Sequence, residues 1–213
     1  EKGAFIGIVG ESGAGKSTLA DIILGLLKPK SGQIILDGKK ADPSIEPFCG
    51  LIGYIPQRIF LSDDTIKNNI AFGVSEELIN NKKIKKAVSI AQLESVINEQ
   101  TNGLETIIGE KGVRLSGGQI QRIGIARALY YDPEIIIMDE ATSSLDGKTE
   151  INFNKAIDSL QNKKTLIIIA HRMSTVRNCN IIYYMEKGRI IDSGTFDDLY
   201  EKNKKFRQMA GNQ

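Results

Sequence analysis

Short apolar runs separated by amphipathic and turn-rich segments set the pattern of this chain. The runs at 4–9, 135–138 and 165–170 are apolar along nearly their whole length. Strands that helices cover on both faces have this composition, so these runs predict a parallel sheet. The remaining strand-like segments lie at 33–36, 51–55, 181–185 and 189–192. Residues 186–188 are expected to join the last two segments as a hairpin.

The segments between these strands predict helices, expected at 16–27, within 65–97, at 119–131, near 149–160 and in short polar pieces over the last twenty residues. Within 65–97, apolar residues recur near helical spacing at Ile84, Val88, Ala91 and Leu93. Two X-Pro steps, at Pro29 and Pro133, follow predicted helices and are typical of helix ends.

This order predicts an α/β fold within one domain spanning 1–213. A core of about 1–60 and 133–192 encloses a mostly helical insert of about 61–132, and C-terminal helices follow at about 193–213. The chain starts without Met and enters its first strand within a few residues. We therefore expect an N-terminally truncated fragment of a longer protein.

Composition narrows the classes of partner. The 213 residues carry a formal net charge of +2, which is too small to favour nucleic acid. Lysines cluster at 82–86 and 202–205, but no aromatic residues are interleaved to stack on bases. No apolar run reaches the roughly 18 residues that span a bilayer. These observations predict a soluble fragment that binds no nucleic acid.

A glycine-rich loop connects the first predicted strand to the first predicted helix. Gly10-Glu11-Ser12-Gly13-Ala14-Gly15-Lys16-Ser17 matches the pattern G-x-x-x-x-G-K-[ST]. Glycines allow backbone N–H groups to wrap a phosphate chain, Lys16 is expected to reach the β- and γ-phosphates, and the Ser17 hydroxyl is expected to bind Mg²⁺. Thr18 completes the predicted ATP-binding segment. The strand and helix on either side argue against a glycine turn without function.

Polar residues follow several predicted strands at their carboxyl ends, where open α/β sheets place ligand and catalytic groups. Asp139 is expected to hold the Mg²⁺ shell, and Glu140 to polarise an attacking water. Gln57 follows another strand and can touch both metal and water. His171, the only histidine, ends the strand at 165–170 and favours contact with a γ-phosphate. Taken alone, each of these residues would suit a helix cap, a structural role or an ordinary surface position.

A second anion site is predicted where Leu115-Ser116-Gly117-Gly118-Gln119 opens a helix. A Ser-Gly-Gly turn at a helix start leaves backbone N–H groups unpaired, and the helix dipole adds partial positive charge. Further along the chain, the run Ser143-Ser144-Leu145-Asp146 suits a plain helix cap. The residues alone do not explain why one chain should hold two phosphate sites.

In this order the motifs resemble the nucleotide-binding domain of the ATP-binding-cassette (ABC) family, whose core is a P-loop NTPase, or RecA-like, fold. The resemblance makes 10–17 the phosphate loop, Gln57 the Q-loop residue, 115–119 the signature and 135–140 the Walker B strand. It likens 144–146 to the D-loop and His171 to the switch histidine. The signature upstream of Asp-Glu separates this family from other phosphate-loop proteins.

The resemblance implies an ATPase that uses Mg²⁺ and forms a head-to-tail dimer. In this family, ATP on one domain's phosphate loop is capped by the signature of the other domain. Ser116, Gly117, Gly118, Gln119 and Asp146 would therefore act in trans, on a nucleotide bound to a second chain. This arrangement is implied by the family and not by the residues alone.

The segments 56–61, 65–73 and 108–112 resemble those of exporter-type domains. The sequence of 61–65 is similar to that of bacterial flippases for lipid-linked oligosaccharides. In that group Phe60, Leu61 and Glu110 lie where helices of the membrane domain dock. The resemblance implies a transmembrane domain on the same polypeptide and a place on the cytoplasmic face of the inner membrane.

The sequence leaves several alternative classes of protein open. A soluble cassette ATPase of DNA repair would carry long coiled coils between the phosphate loop and the signature, and this chain has none there. A translation-associated cassette protein is expected to hold two cassettes, and this chain has one. An importer subunit fits 65–73 and 108–112 less well. Lys16, Asp139, Glu140 and His171 argue against a non-catalytic binding module.

Overall fold

A computed structural model describes residues 1–42, 48, 50–109, 112–113, 115–140, 147, 151, 157, 160, 163–170 and 172–211. The chain forms two compact units. The first comprises Glu1–Tyr54, Glu134–Asp139 and Asn162–Gln213, and the second comprises Ile55–Pro133 and Glu140–Gln161. The domain boundaries inferred from the sequence stay a prediction.

The described strands, in chain order, are β1 (Phe5–Gly10), β2 (Ile34–Leu36), β3 (Lys39–Ala41), β4 (Ile52–Ile55), β5 (Ile135–Asp139), β6 (Thr165–Ile169), β7 (Ile181–Glu186) and β8 (Arg189–Gly194). The main sheet has the spatial order β4-β5-β6-β1-β7-β8. β1 pairs in parallel with β6 and β7, and β5 pairs in parallel with β6. β8 runs antiparallel to β7, and β2 and β3 form a separate hairpin. The predicted α/β fold with a mostly parallel sheet is confirmed.

The inner strands of the first unit contribute apolar side chains to one buried cluster. Ile8, Ile137 and Met185 come from three different strands and are each no more than 4% exposed. Ala14 and Ala20 belong to the same buried cluster. The apolar runs seen in the sequence are therefore the core of the sheet.

The described helices are α1 (Lys16–Ile23), α2 (Ile66–Ile70), α3 (Asn81–Ile90), α4 (Glu94–Asn98), α5 (Gly117–Tyr130), α6 (Met173–Val176), α7 (Phe196–Lys202) and α8 (Lys204–Gly211). Short 3-10 turns lie at Glu76–Leu78 and Gly103–Glu105. None of the described helices is long and apolar enough to cross a bilayer. The helix predicted near 149–160 falls largely outside the described residues.

Helix α1 ends four residues earlier than the sequence pattern predicted. Gly25 has a φ of 77°, and the N–H groups of Gly25 and Leu26 donate to the carbonyls of Ile22 and Asp21. This is the Schellman arrangement, in which a left-handed glycine closes the last turn of a helix. Gly25, rather than the later Lys28-Pro29, therefore ends the helix.

The second unit is helical, and its predicted helical segment 65–97 contains separate helices rather than one continuous helix. Gly73 and Gln92 both have positive φ, at 82° and 55°, and each interrupts the helical path. The apolar face predicted within this segment is buried, with Ile84 at 1% and Leu93 at 0% exposure. Helix α5 starts at Gly117, two residues before its predicted start at Gln119, because Ser116 caps it.

Candidate nucleotide-binding site

The glycine-rich loop leaves β1 and enters α1 within the first unit. A Cβ on Gly10 would overlap the carbonyl oxygen of Met185 on β7, so a side chain cannot be placed there without displacing backbone. Gly15, the N-cap of α1, has a φ of 97°, which few residues other than glycine adopt. The N–H of Gly188, in the β7–β8 turn, donates to the Ala14 carbonyl at 2.9 Å. The loop is thus fixed against the neighbouring hairpin.

Lys16 is folded into this loop. Its ammonium donates to the carbonyls of Gly10 at 2.8 Å and Glu11 at 3.1 Å, and the residue is only 5% exposed. A buried ammonium favours anionic partners because it has lost much of its hydration. The loop therefore holds a positive charge at its centre, where phosphate oxygens could accept hydrogen bonds from the ammonium.

The first turn of α1 provides backbone donors at the same place. Its N-cap is Gly15, and no side chain caps it. Ser17 and Thr18 are exposed in that turn, as are Glu11, Ser12 and Gly13 in the loop. A helix start with open N–H groups and the positive end of a helix dipole is suited to bind phosphate.

Asp139 ends β5 and belongs to the first unit with the loop. It is 8% exposed, and β5, β6 and β1 are adjacent parallel strands whose carboxyl ends lie on one edge of the sheet. Tyr54 of β4 is half-buried, and burial together with the charges of Asp139 and Asp21 raises the pKa of its phenol to about 12. A neutral hydroxyl therefore accompanies the carboxylate. Sequence reasoning missed Tyr54, because its nearness to Asp139 depends on β4 lying beside β5.

Gln57 and Glu140 meet in the second unit. The Gln57 amide donates to the Glu140 carboxylate, with 2.6 Å between Nε2 and Oε2. Glu140 also has a φ of 49°, in the left-handed region that residues with side chains seldom occupy. Backbone strain of this kind concentrates at functional sites. Two residues predicted for one catalytic role are therefore in direct contact.

The start of α5 is a capping box. The Ser116 hydroxyl accepts from the N–H of Gln119 at 3.3 Å, and the Gln119 side chain accepts from the N–H of Ser116 at 2.8 Å. The N–H groups of Gly117 and Gly118 lie between these two and have no acceptor within the helix. As a donor, the Ser116 hydroxyl can still serve an outside acceptor. The predicted second anion site thus has the required backbone donors.

The remaining predicted residues fall in two groups. His171, Asp146 and Glu110 lie outside the described residues, so their predicted roles stay predictions. Phe60 is 63% exposed, whereas Leu61 is 1% exposed. The side chain of Leu61 is thus packed inside the chain whereas that of Phe60 is at the surface, and docking of a partner at this point stays a prediction.

The oxygen donors of the first unit fit Mg²⁺ held together with ATP. The Ser17 hydroxyl and the Asp139 carboxylate are hard oxygen ligands, which Mg²⁺ prefers. Among the described residues, no group of three or more His, Cys, Asp or Glu side chains could hold a metal. Mg²⁺ that shares its ligands with phosphates and water needs no such group, since one or two carboxylates suffice.

Known proteins match both the sequence and the fold. The ATP-dependent lipid A-core flippase of Ralstonia nicotianae is 38% identical over 203 residues, covering 94% of this chain and 34% of that protein. The flippase of the same name from Escherichia coli K12 is 40% identical over 208 residues, covering 97% of this chain and 36% of that protein. This chain therefore spans about a third of the length of the curated relatives it matches.

A solved structure agrees with these relatives. A bacterial Atm1-family ABC exporter with ATP bound has a TM-score of 0.91 and 33% identity, covering all of this chain and 37% of that chain. The family model for ABC transporters matches residues 1–143. The predicted P-loop NTPase fold and the exporter-type resemblance are confirmed, and the chain belongs to the ABC transporter family.

Proposed function

We propose that this chain is the ATP-hydrolysing nucleotide-binding domain of an ABC exporter or flippase, and that ATP hydrolysis drives transport across a membrane. The observation that carries the proposal is the glycine-rich loop with the buried Lys16 at its centre, in the same unit as Asp139. A loop that offers backbone donors and one buried ammonium favours a polyphosphate over a neutral ligand.

In this proposal the first unit binds ATP. Lys16 moves its ammonium from the Gly10 and Glu11 carbonyls to phosphate oxygens, and the N–H groups of 10–18 cradle the phosphates. Ser17 and Asp139, with Gln57, hold Mg²⁺. When bound, Mg²⁺ would neutralise the charge that develops on the phosphates. Tyr54 stays neutral beside Asp139, so it adds no negative charge near the phosphates.

Glu140 is the general base in this proposal, and Gln57 positions it. The carboxylate accepts a proton from the attacking water, while the Gln57 amide holds one carboxylate oxygen in place. His171 contacts the γ-phosphate. Removing a general base typically lowers the rate by about 10²–10⁴-fold.

The site is completed by a second chain. Ser116, Gly117, Gly118, Gln119 and Asp146 of one chain cap the ATP bound to the other, so that two ATP molecules lie within a head-to-tail dimer. The open N–H groups of Gly117 and Gly118 are the donors that this role requires. Closure of the dimer on ATP and its reopening after hydrolysis provide the movement that drives transport.

The partner in the membrane is a transmembrane domain that docks near Phe60 and Glu110, with the chain on the cytoplasmic face of the inner membrane. The lipid A-core flippases among the relatives favour a lipid-linked oligosaccharide as the substrate class. An exporter is favoured over a soluble cassette ATPase or an importer subunit, because a solved structure that matches the whole chain is an exporter.

The test is Glu140→Gln in the full-length protein, with Glu134→Gln as the matched control. Glu134 precedes the same strand, is exposed, and its carboxylate contacts Lys2 at 3.0 Å. We expect Glu140→Gln to keep ATP binding and to lower ATP turnover by about 100-fold or more. Glu134→Gln should turn over ATP as the wild type does. Near-wild-type turnover of Glu140→Gln would reject Glu140 as the base.

A further inference from the structure

Arg127 lies near the C-terminal end of α5, the helix that Ser116 caps, and reaches across to the segment 60–72. Its guanidinium donates to the Phe60 carbonyl at 2.7 Å and to the Asn69 carbonyl at 2.8 Å. It also donates to the Asn69 side-chain oxygen at 3.1 Å. One half-buried cation therefore fixes two backbone points of this segment to α5.

The same cation supports an aromatic ring. The guanidinium carbon of Arg127 lies 4.8 Å from the centroid of the Phe72 ring. Tyr131, one turn further along the chain, donates its hydroxyl to the Phe72 carbonyl at 3.1 Å. The Phe60 and Phe72 side chains are 63% and 47% exposed. The backbone of both phenylalanines is thus held while their rings face outward.

Asn69 connects these contacts to the turn beneath them. It is fully buried, and its side-chain oxygen accepts from the Ser62 N–H at 3.0 Å. Its amide nitrogen donates to the carbonyls of Ser62 at 3.1 Å and Thr65 at 3.0 Å. A buried polar network in which every group is paired rigidifies the segment that contains it. Segment 60–72 therefore follows α5 rather than moving independently of it.

We propose that Arg127 is a positioning residue that holds the Phe60 and Phe72 rings as one contact for the membrane-domain partner, fixed to the helix that begins at Ser116. Arginine suits this position because a planar fork donates to several carbonyls and stacks on a ring at once. The ammonium of a lysine is a point charge and cannot reproduce this combination. This inference rests on the proposed function for the identity of the partner.

The test compares Arg127→Lys with Arg122→Lys in the full-length protein in lipid nanodiscs. Arg122 is on the same helix and donates to the Gln92 carbonyl at 2.8 Å, away from both rings. Hydroxyl-radical footprinting reports the solvent access of Phe60 and Phe72, with the 43%-exposed Tyr200 as internal reference. The 213-residue chain alone gives the reactivity of undocked rings.

We expect both rings to be protected in the wild type and in Arg122→Lys, and unprotected in Arg127→Lys. Amide exchange over 62–70 should accelerate about tenfold or more in Arg127→Lys, as expected for the loss of one charge-assisted hydrogen bond. The KM for ATP should stay within about twofold of wild type while kcat falls, because Arg127 contacts no residue assigned to nucleotide. A merely structural role would instead change KM, kcat and melting temperature together.

Tyr131→Phe serves if Arg127→Lys does not fold, because it removes a single hydroxyl. It should raise the footprinting reactivity of Phe72 about threefold, as expected for the loss of one neutral hydrogen bond. Phe60 should stay protected. The inference is overturned if Arg127→Lys retains wild-type protection, if Arg122→Lys loses it equally, or if the wild-type rings are as reactive as those of the chain alone. ATP turnover of the wild type tests the proposed function separately, because footprinting does not measure turnover.

Discussion

At the scale of single residues, Gly10 shows how backbone approach shapes the phosphate loop. A Cβ there would overlap the Met185 carbonyl, which belongs to a strand and cannot swing aside. We expect Gly10→Ala to lower the free energy of unfolding by roughly 1–3 kcal/mol, as overpacking does, and to weaken ATP binding. Denaturant titration and calorimetry with ATP measure the two effects.

Gly211→Ala is the control for Gly10→Ala. Gly211 is helical, and a Cβ there would meet no atom within 4 Å. Its replacement should leave stability unchanged or raise it by up to about 1 kcal/mol, because alanine is the better helix former. Equal stability of the two variants would contradict the overlap at Gly10.

The sequence identified Glu140 as a candidate base, but it could not reveal the state of that residue. Its hydrogen bond to Gln57 joins positions 83 residues apart, and its left-handed φ depends on the surrounding fold. Tyr54 was missed for a related reason, since its raised pKa depends on burial and on Asp139 in another strand. A sequence motif identifies candidate residues and their order along the chain. Contacts between distant segments are known only from the fold.

At the scale of elements, apolar continuity predicted the strands closely and the helix ends less well. The run at 135–138 became β5 with one added residue, Asp139. Helix ends depend on single hydrogen bonds, and both α1 and α5 were misplaced for that reason. Gly25 closes α1, and Ser116 opens α5 through its capping box. Both signals are present in the sequence as a C-terminal glycine and an S-x-x-Q pattern.

The start of α5 has two roles, one structural and one proposed, and Ser116→Asp separates them. Aspartate caps helices as well as serine does, so stability should change by less than about 0.5 kcal/mol. The introduced carboxylate would repel a phosphate of ATP, because like charges about 4 Å apart repel by ~4 kcal/mol at an effective dielectric constant of about 20. Turnover of ATP should therefore fall about a hundredfold or more. Thermal unfolding and steady-state ATP turnover of the full-length protein give the two values.

Asn80→Asp is the matched control at the N-cap of α3 in the same unit. The Asn80 side chain accepts from the N–H groups of Lys82 and Lys83, and aspartate can do the same. This variant adds the same charge at a comparable helix start without a proposed nucleotide. Its ATP turnover should equal that of the wild type. A loss as large as that of Ser116→Asp would mean that added negative charge lowers turnover wherever it is placed.

At the scale of the whole molecule, the described residues include two helix starts that we propose bind phosphate, one in each unit. The first follows the loop at Lys16, and the second follows Ser116. If both acted on one ATP within the same chain, each chain would be complete by itself. The head-to-tail dimer instead requires the Lys16 loop of one chain and the Ser116 helix of the other at each site.

Complementation between two defective full-length chains separates these arrangements. We expect Lys16→Ala and Ser116→Asp to be inactive as homodimers, because every site has one defect. A purified heterodimer of the two has one intact composite site, so it should recover about half of wild-type turnover under two-fold symmetry. The reciprocal pair joins a wild-type chain to a chain with both changes. If the sites form between chains, each site of this pair has one defect and the pair should be inactive. If each chain formed its own site, the wild-type chain of this pair would stay active.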